Sequence, residues 1–97
     1  MAHVDRSAQC LHLASYEGGQ HSVAMPVRAI VANAMRLGSA GVVLAHDHPS
    51  GESQPSRADC LSTRRLAQLG EAIDFTVLDH LIFAAGACSS MRRMALL

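Results

Sequence analysis

Lysine and tryptophan are absent from this chain, and each absence narrows what it can be. The eight basic residues are all arginine, eight acidic residues balance them, and the pI lies near 7. A neutral chain lacks the positive footprint that a phosphate backbone demands, so strong nucleic-acid binding is not expected. Arg57, Arg64 and Arg65 fall on one expected helix and Arg92 and Arg93 near the end. They read as a solvated face in preference to a phosphate-binding patch. Only Tyr16, Phe75 and Phe83 are aromatic. The core must therefore come from Leu, Val, Ile, Ala and Met, which a hydrophobic content of 49% supplies. Cys10, Cys60 and Cys88 are odd in number and far apart, with no Cys-x-x-Cys pair. That excludes a zinc knuckle or dithiol redox motif and leaves free thiols suited to a reducing, cytoplasmic setting. No apolar run is long enough to cross a membrane, and no basic segment precedes an apolar one as in a signal peptide.

What is present is enough for one domain, residues 1–97, without repeats or linkers. Residues 10–16 alternate as a strand does, and Glu17-Gly18-Gly19-Gln20 is a turn. Pro26 suits the first turn of a helix. From there Val27, Ile30, Val31, Ala34 and Met35 recur on one helical face, and Gly38 is a natural stop. Gly41–His46 is a short continuous apolar run, hence a buried central strand. A second helix runs from Ser56 to about Glu71, closing near Gly70. Ile73–Leu78 and Leu81–Ala85 read as two strands with Asp79-His80 at their junction, and Ser89 or Ser90 as the cap of a last short turn. The order strand, helix, strand, helix, strand, strand predicts an α/β (α+β) domain, a mixed sheet flanked by helices.

The chemistry concentrates in residues 45–59, AHDHPSGESQPSRAD. Side chains alternate along a strand, so His46 and His48 point the same way from one strand end, where Pro49 stops it. Ser50–Pro55 is turn-like in composition. Ser56 is a helix N-cap, and Asp59 falls in the first helical turn. Two imidazoles at a strand end and a carboxylate at a helix start can converge as ligands for Zn²⁺, with a fourth position left for water as in catalytic sites. Asp59 in the first turn also suits the helix dipole, and the two roles are compatible. Asp47 alternates to the other side of the strand, where it would support the ligands rather than join them. Cys60, about 100° further round the helix, should face away.

His46-x-His48-Pro49, six residues, then Ser56-x-x-Asp59 resembles the JAMM motif of JAB1/MPN metallopeptidases. The segments PVRAIVANAM (26–35), LAHDHPSG (44–51), PSRADCLSTRRL (55–66), LDHLIFAAG (78–86) and SSMRRMALL (89–97) resemble the RadC branch of that superfamily. The resemblance implies a JAB1/MPN fold related to that of cytidine deaminases. It implies Zn²⁺ on His46, His48 and Asp59, with zinc-bound water attacking the amide of a peptide or isopeptide substrate. Ser56 then matches the serine that stabilises the oxyanion. The pattern also asks for a general-base glutamate on an upstream strand. Val4-Asp5 resembles the end of that strand, which places the glutamate before Met1 and reads as an N-terminally truncated domain, whether by a late start or a genuine shortening. Glu17 and Glu52 are weak substitutes that read better as solvated turn residues. Asp47 stands where Ser, Thr or Asn is usual. Asp79-His80 matches the RadC segment but suggests no role beyond a turn aspartate and a satisfied histidine.

Three functions remain: a zinc metallopeptidase or isopeptidase-type hydrolase, a catalytically silent zinc-binding or interaction module, and a DNA-repair-associated factor, the label attached to RadC. A zinc deaminase would need His-x-Glu and Pro-Cys-x-x-Cys, and neither occurs. A truncated first strand would expose a sheet edge for a partner or a second copy.

Overall fold

The structure is a computed structural model and describes residues 1–14, 25–48 and 51–97. Its elements are β1 (Ala2–Val4), β2 (Cys10–Leu13), α1 (Val27–Leu37), β3 (Gly41–Asp47), α2 (Arg57–Glu71), β4 (Thr76–Ala84) and β5 (Ala87–Ser90). The strands form one sheet in the order β2-β1-β3-β4-β5. β3 and β4 are parallel, and every other pairing is antiparallel. The mixed sheet and two helices expected from the sequence are therefore present.

The central run Gly41–Asp47 is a strand because both of its neighbours bury it; Val42 and Leu44 are fully buried. Those two residues join Ile30 and Ala34 of α1, Leu66 of α2, and Phe75 and Val77 in one apolar cluster. α1 ends on Gly38, whose φ of 63° is the left-handed cap conformation that glycine adopts without strain. α2 packs Thr63, Leu66 and Gly70 inward. Gly70 is required by close approach: a Cβ there would lie 2.2 Å from the Phe75 carbonyl oxygen.

Several boundaries differ from those the sequence suggests. Ile73–Leu78 and Leu81–Ala85 are parts of one strand, β4, with Asp79 and His80 inside it. The register shift opposite Val42/Val43 is the reason. A bulge there keeps Val77 and His80 on the same face, which breaks the strict alternation a regular strand would show. Ser89 and Ser90 lie on β5 rather than opening a helix, although the Ser90 hydroxyl does accept from the Arg93 N–H across the following turn. Met35, placed on the buried face of α1 by its spacing, is 63% exposed. The first strand of the expected order is a pair, β1 and β2, and β2 ends at Leu13. β1 is internal, so the sheet edges are β2 and β5, not the first strand. Pro49, Ser50, Glu17 and the turn around Glu17 lie outside the described residues.

The close approach at Gly70 is directly testable. Gly70→Ala should destabilise the domain by about 1–3 kcal/mol despite alanine's better helix propensity, because Phe75 backbone must move. Exposed Gln68→Ala on the same helix should stay within about 0.5 kcal/mol. Urea unfolding of both variants beside the parent would decide it.

Candidate metal centre

β3, α2 and β4 form a strand–helix–strand unit, and that topology makes the site. A helix that returns the chain between two parallel strands must start near the end of the first. The C-terminal end of β3 and the N-terminus of α2 therefore meet, in the position where open α/β sheets usually hold ligands. His46 lies on β3, His48 one residue beyond it, and Asp59 in the first turn of α2. One ligand atom from each of the three lies within 4.8 Å of the others.

The Ser56-x-x-Asp59 spacing is a capping box. Ser56 Oγ accepts from the Asp59 N–H at 3.0 Å, and the Ser56 N–H donates to Asp59 Oδ2 at 2.8 Å. The spacing that frees no helix donor also locks the carboxylate in place. Asp59 is only 5% exposed. Burial opposes its ionisation, but the hydrogen bonds from Ser56 and the nearby His46 and His48 outweigh it and hold the carboxyl below its ordinary range.

His48 Nδ1 lies 2.9 Å from the Glu52 carbonyl oxygen. A carbonyl only accepts, so Nδ1 carries the proton. In neutral His48, Nε2 is then a bare lone pair, and it faces Asp59 Oδ2 at 3.1 Å. His46 presents its own Nε2 to Asp59 Oδ1 at 3.5 Å. Zinc–nitrogen and zinc–oxygen bonds of about 2.0–2.2 Å set tetrahedral ligand atoms roughly 3.3–3.6 Å apart, near the two contacts to Asp59 and shorter than the 4.8 Å within which the whole set lies. Acceptors converging on one point repel unless a cation joins them, so the donor set fits a divalent metal ion.

His80 is the residue that sequence reasoning missed. It is buried, its Nε2 lies 2.7 Å from His46 Nδ1, and its Nδ1 lies 2.7 Å from Thr63 Oγ1. The available signal was the four-residue step from Asp59 to Thr63, which puts a polar side chain on the same inward helix face. Its neighbour Asp79 is a structural hub rather than a turn residue: it accepts from the Ser90 hydroxyl and from the N–H groups of His80 and Arg92. Those bonds overcome burial and depress its pKa. Asp47 is exposed at the end of β3, between the half-buried His46 and His48, and it is not one of the three converging groups. Glu52 reaches His48 through its backbone oxygen.

Beside His48 runs a shallow groove lined by Asp47, Phe83 and the β4–β5 turn from Ala84 to Cys88. A larger depression near Asp5, Glu71 and Asp74 lies at the other end of β3 and β4 and has no part in this site. No helix is long and apolar enough to cross a membrane among the described residues.

The family model described as RadC-like JAB domain matches residues 1–96. A UPF0758 protein of Roseiflexus sp. (strain RS-1) is 38% identical over 81 residues, covering 84% of this chain and 35% of that protein. A UPF0758 protein of Bordetella avium (strain 197N) is 41% identical over 70 residues, covering 72% of this chain and 31% of that protein. The chain thus spans about a third of the length of these relatives.

Burial first, and the neighbouring His46 next, push the His80 pKa from 6.5 down to about 4. Between those values the unfolded chain binds a proton that native His80 refuses, so stability falls as pH falls through that window. The metal-free domain should lose up to about 3 kcal/mol between pH 6.5 and pH 4, and His80→Gln should flatten much of that slope. Urea titrations at stepped pH, without metal, would show it.

Proposed function

This chain belongs to the RadC-like JAB domain family, and from that premise we propose that it binds zinc through His46, His48 and Asp59 as part of a metallopeptidase or isopeptidase-type hydrolase. One observation carries the reading: His48, its Nδ1 proton held by the Glu52 carbonyl, directs Nε2 at the buried carboxylate of Asp59 beside His46. Nitrogen and oxygen donors together suit zinc, and three protein ligands are the usual complement of a catalytic rather than structural zinc site. When bound, zinc would supply Lewis acidity toward water and toward a substrate carbonyl.

The remaining roles fall to the chain's own groups. Ser56 Oγ accepts from the Asp59 N–H, which leaves its hydroxyl proton able to donate to an oxyanion; a hydroxyl does both. The groove along Phe83 and the β4–β5 turn would receive the substrate chain next to His48. A proton carrier would come from upstream. β1 pairs antiparallel with β3, Ala2 opposite Val43 and Val4 opposite Gly41. Continuing that register, Met1 falls opposite Leu44, and any residues preceding it would run alongside Ala45 to His48, on the side of β3 away from β4. A glutamate opposite His46 or His48 would share their face of the sheet.

A silent zinc-binding module is the second reading. It rests on the same three ligand groups without a hydrolytic step.

Zinc stoichiometry of the purified chain, beside Asp59→Ala, tests the metal site. One zinc per chain is expected, lost in the variant, which also gives up about 1 kcal/mol with its capping box. A folded parent without zinc would sink the reading. Hydrolysis of peptide or isopeptide bonds by a version extended upstream, abolished by His48→Ala, would separate the enzyme from the silent module.

A further inference from the structure

We propose that His80 is the positioning residue of this metal centre: backed by Thr63, it fixes the ring orientation and tautomer in which His46 offers Nε2 to the ion. The inference rests on the zinc reading above and deepens it.

The geometry leaves two arrangements of protons, and ligation through His46 Nε2 selects one. His46 Nδ1 and His80 Nε2 are 2.7 Å apart, so a single proton lies between them. To ligate through the Nε2 that faces Asp59, neutral His46 must keep its proton on Nδ1. His80 Nε2 is then the acceptor, and neutral His80 carries its own proton on Nδ1. That proton is donated to Thr63 Oγ1, also at 2.7 Å. The reversed arrangement would protonate His46 Nε2 and block the metal. Metal-bound histidines are generally oriented by an acceptor at the second ring nitrogen. For His48 that acceptor is the Glu52 carbonyl, and for His46 it is another imidazole.

The fold holds this acceptor firmly. His80 sits opposite Leu44 on the parallel neighbour of the ligand strand, on the face kept by the bulge. Thr63 is fully buried and lies one helical turn after Asp59. α2 therefore delivers a ligand and the support of a second ligand from the same face. No catalytic contact with substrate is implied for His80.

The test compares the parent with His80→Gln, His80→Leu and Thr63→Val. Zinc Kd would be measured by chelator competition, the Co²⁺ visible spectrum would report the ligand field, and metal-free urea unfolding would report the fold. Ring ¹⁵N shifts would give the His46 tautomer in the zinc-loaded protein. A glutamine oxygen can replace the lost acceptor, so His80→Gln should stay within about tenfold of the parent while His80→Leu loses about 10–100-fold. Thr63→Val, which keeps the shape, should weaken binding several-fold with little change in the fold. The His46 proton is expected on Nδ1. Unchanged zinc affinity in Thr63→Val and in folded His80→Leu would overturn the positioning role while leaving the zinc site standing. If His80→Leu does not fold, Thr63→Val and the His46 tautomer decide. A parent that takes up no zinc would instead remove the zinc reading, and the positioning role with it.

Discussion

The carboxylate of Asp59 is the constraint around which this domain is arranged. Burying an ionised carboxylate costs several kcal/mol unless hydrogen bonds and opposite charge meet it. Here the Ser56 N–H meets one oxygen, and the first turn of α2 adds the positive end of its dipole. Two imidazoles complete the surroundings. Because Asp59 must begin the helix, the positions that follow it are fixed. Thr63, Leu66 and Gly70 fall on the same buried stripe. The ligand, the support of His80, a core leucine and the glycine that admits Phe75 are therefore one helical face. Local capping, packing and metal chemistry point to the same start for the helix, which is the agreement expected of a sequence that specifies one structure.

Much of this was legible because short-range rules govern it. The His46-x-His48 step is the period of a strand, and Ser56-x-x-Asp59 is the step of a capping box. Neither depends on distant parts of the chain. Gly38 could be placed for the same reason, since a left-handed cap is a local demand. What could not be read required a partner. The bulge in β4 is set by its pairing with β3, so alternation misplaced Asp79 and His80 at a junction. Met35 sits on the apolar face by spacing, but among the described residues no element packs over its end of that face closely enough to bury it. β5 escaped notice because its four residues, Ala87–Ser90, are mostly small and polar. It is a strand because β4 offers it an edge. His80 was invisible as a site residue since its partners are 34 positions and 17 positions away.

The imidazoles form a continuous group. The rings of His46 and His48 are 4.7 Å apart, and those of His46 and His80 4.8 Å. Three positive charges so close, one of them buried, would be costly, and burial disfavours the charged form at two of the three rings. Burial lowers the pKa of His46 despite the nearby Asp59, and it lowers that of His80 further. Neutral imidazole is also the form that binds metal, so the desolvation that protects the fold prepares the ligands. Acid opposes both: protons would charge the rings and compete with the metal for the same nitrogens.

The division of labour inside the fold follows from the topology. Every group that would hold or orient the ion comes from β3, α2, β4 and the loop that leads from β3 to α2. β1 contributes none. In the proposed reading, metal affinity and proton transfer would belong to different segments: the crossover unit would carry the first, and the strand that approaches β3 from the other side would carry the second. The direction of β1 matters more than its length. It runs antiparallel to β3, so the end nearer the ligands is its beginning, and only residues upstream of Ala2 can come closer to His46. Had β1 been parallel, its continuation would have run past the ligands into Asp5 and Arg6, and a proton carrier would have had to come from the described chain. The antiparallel register instead leaves the approach to His46 to the beginning of that strand.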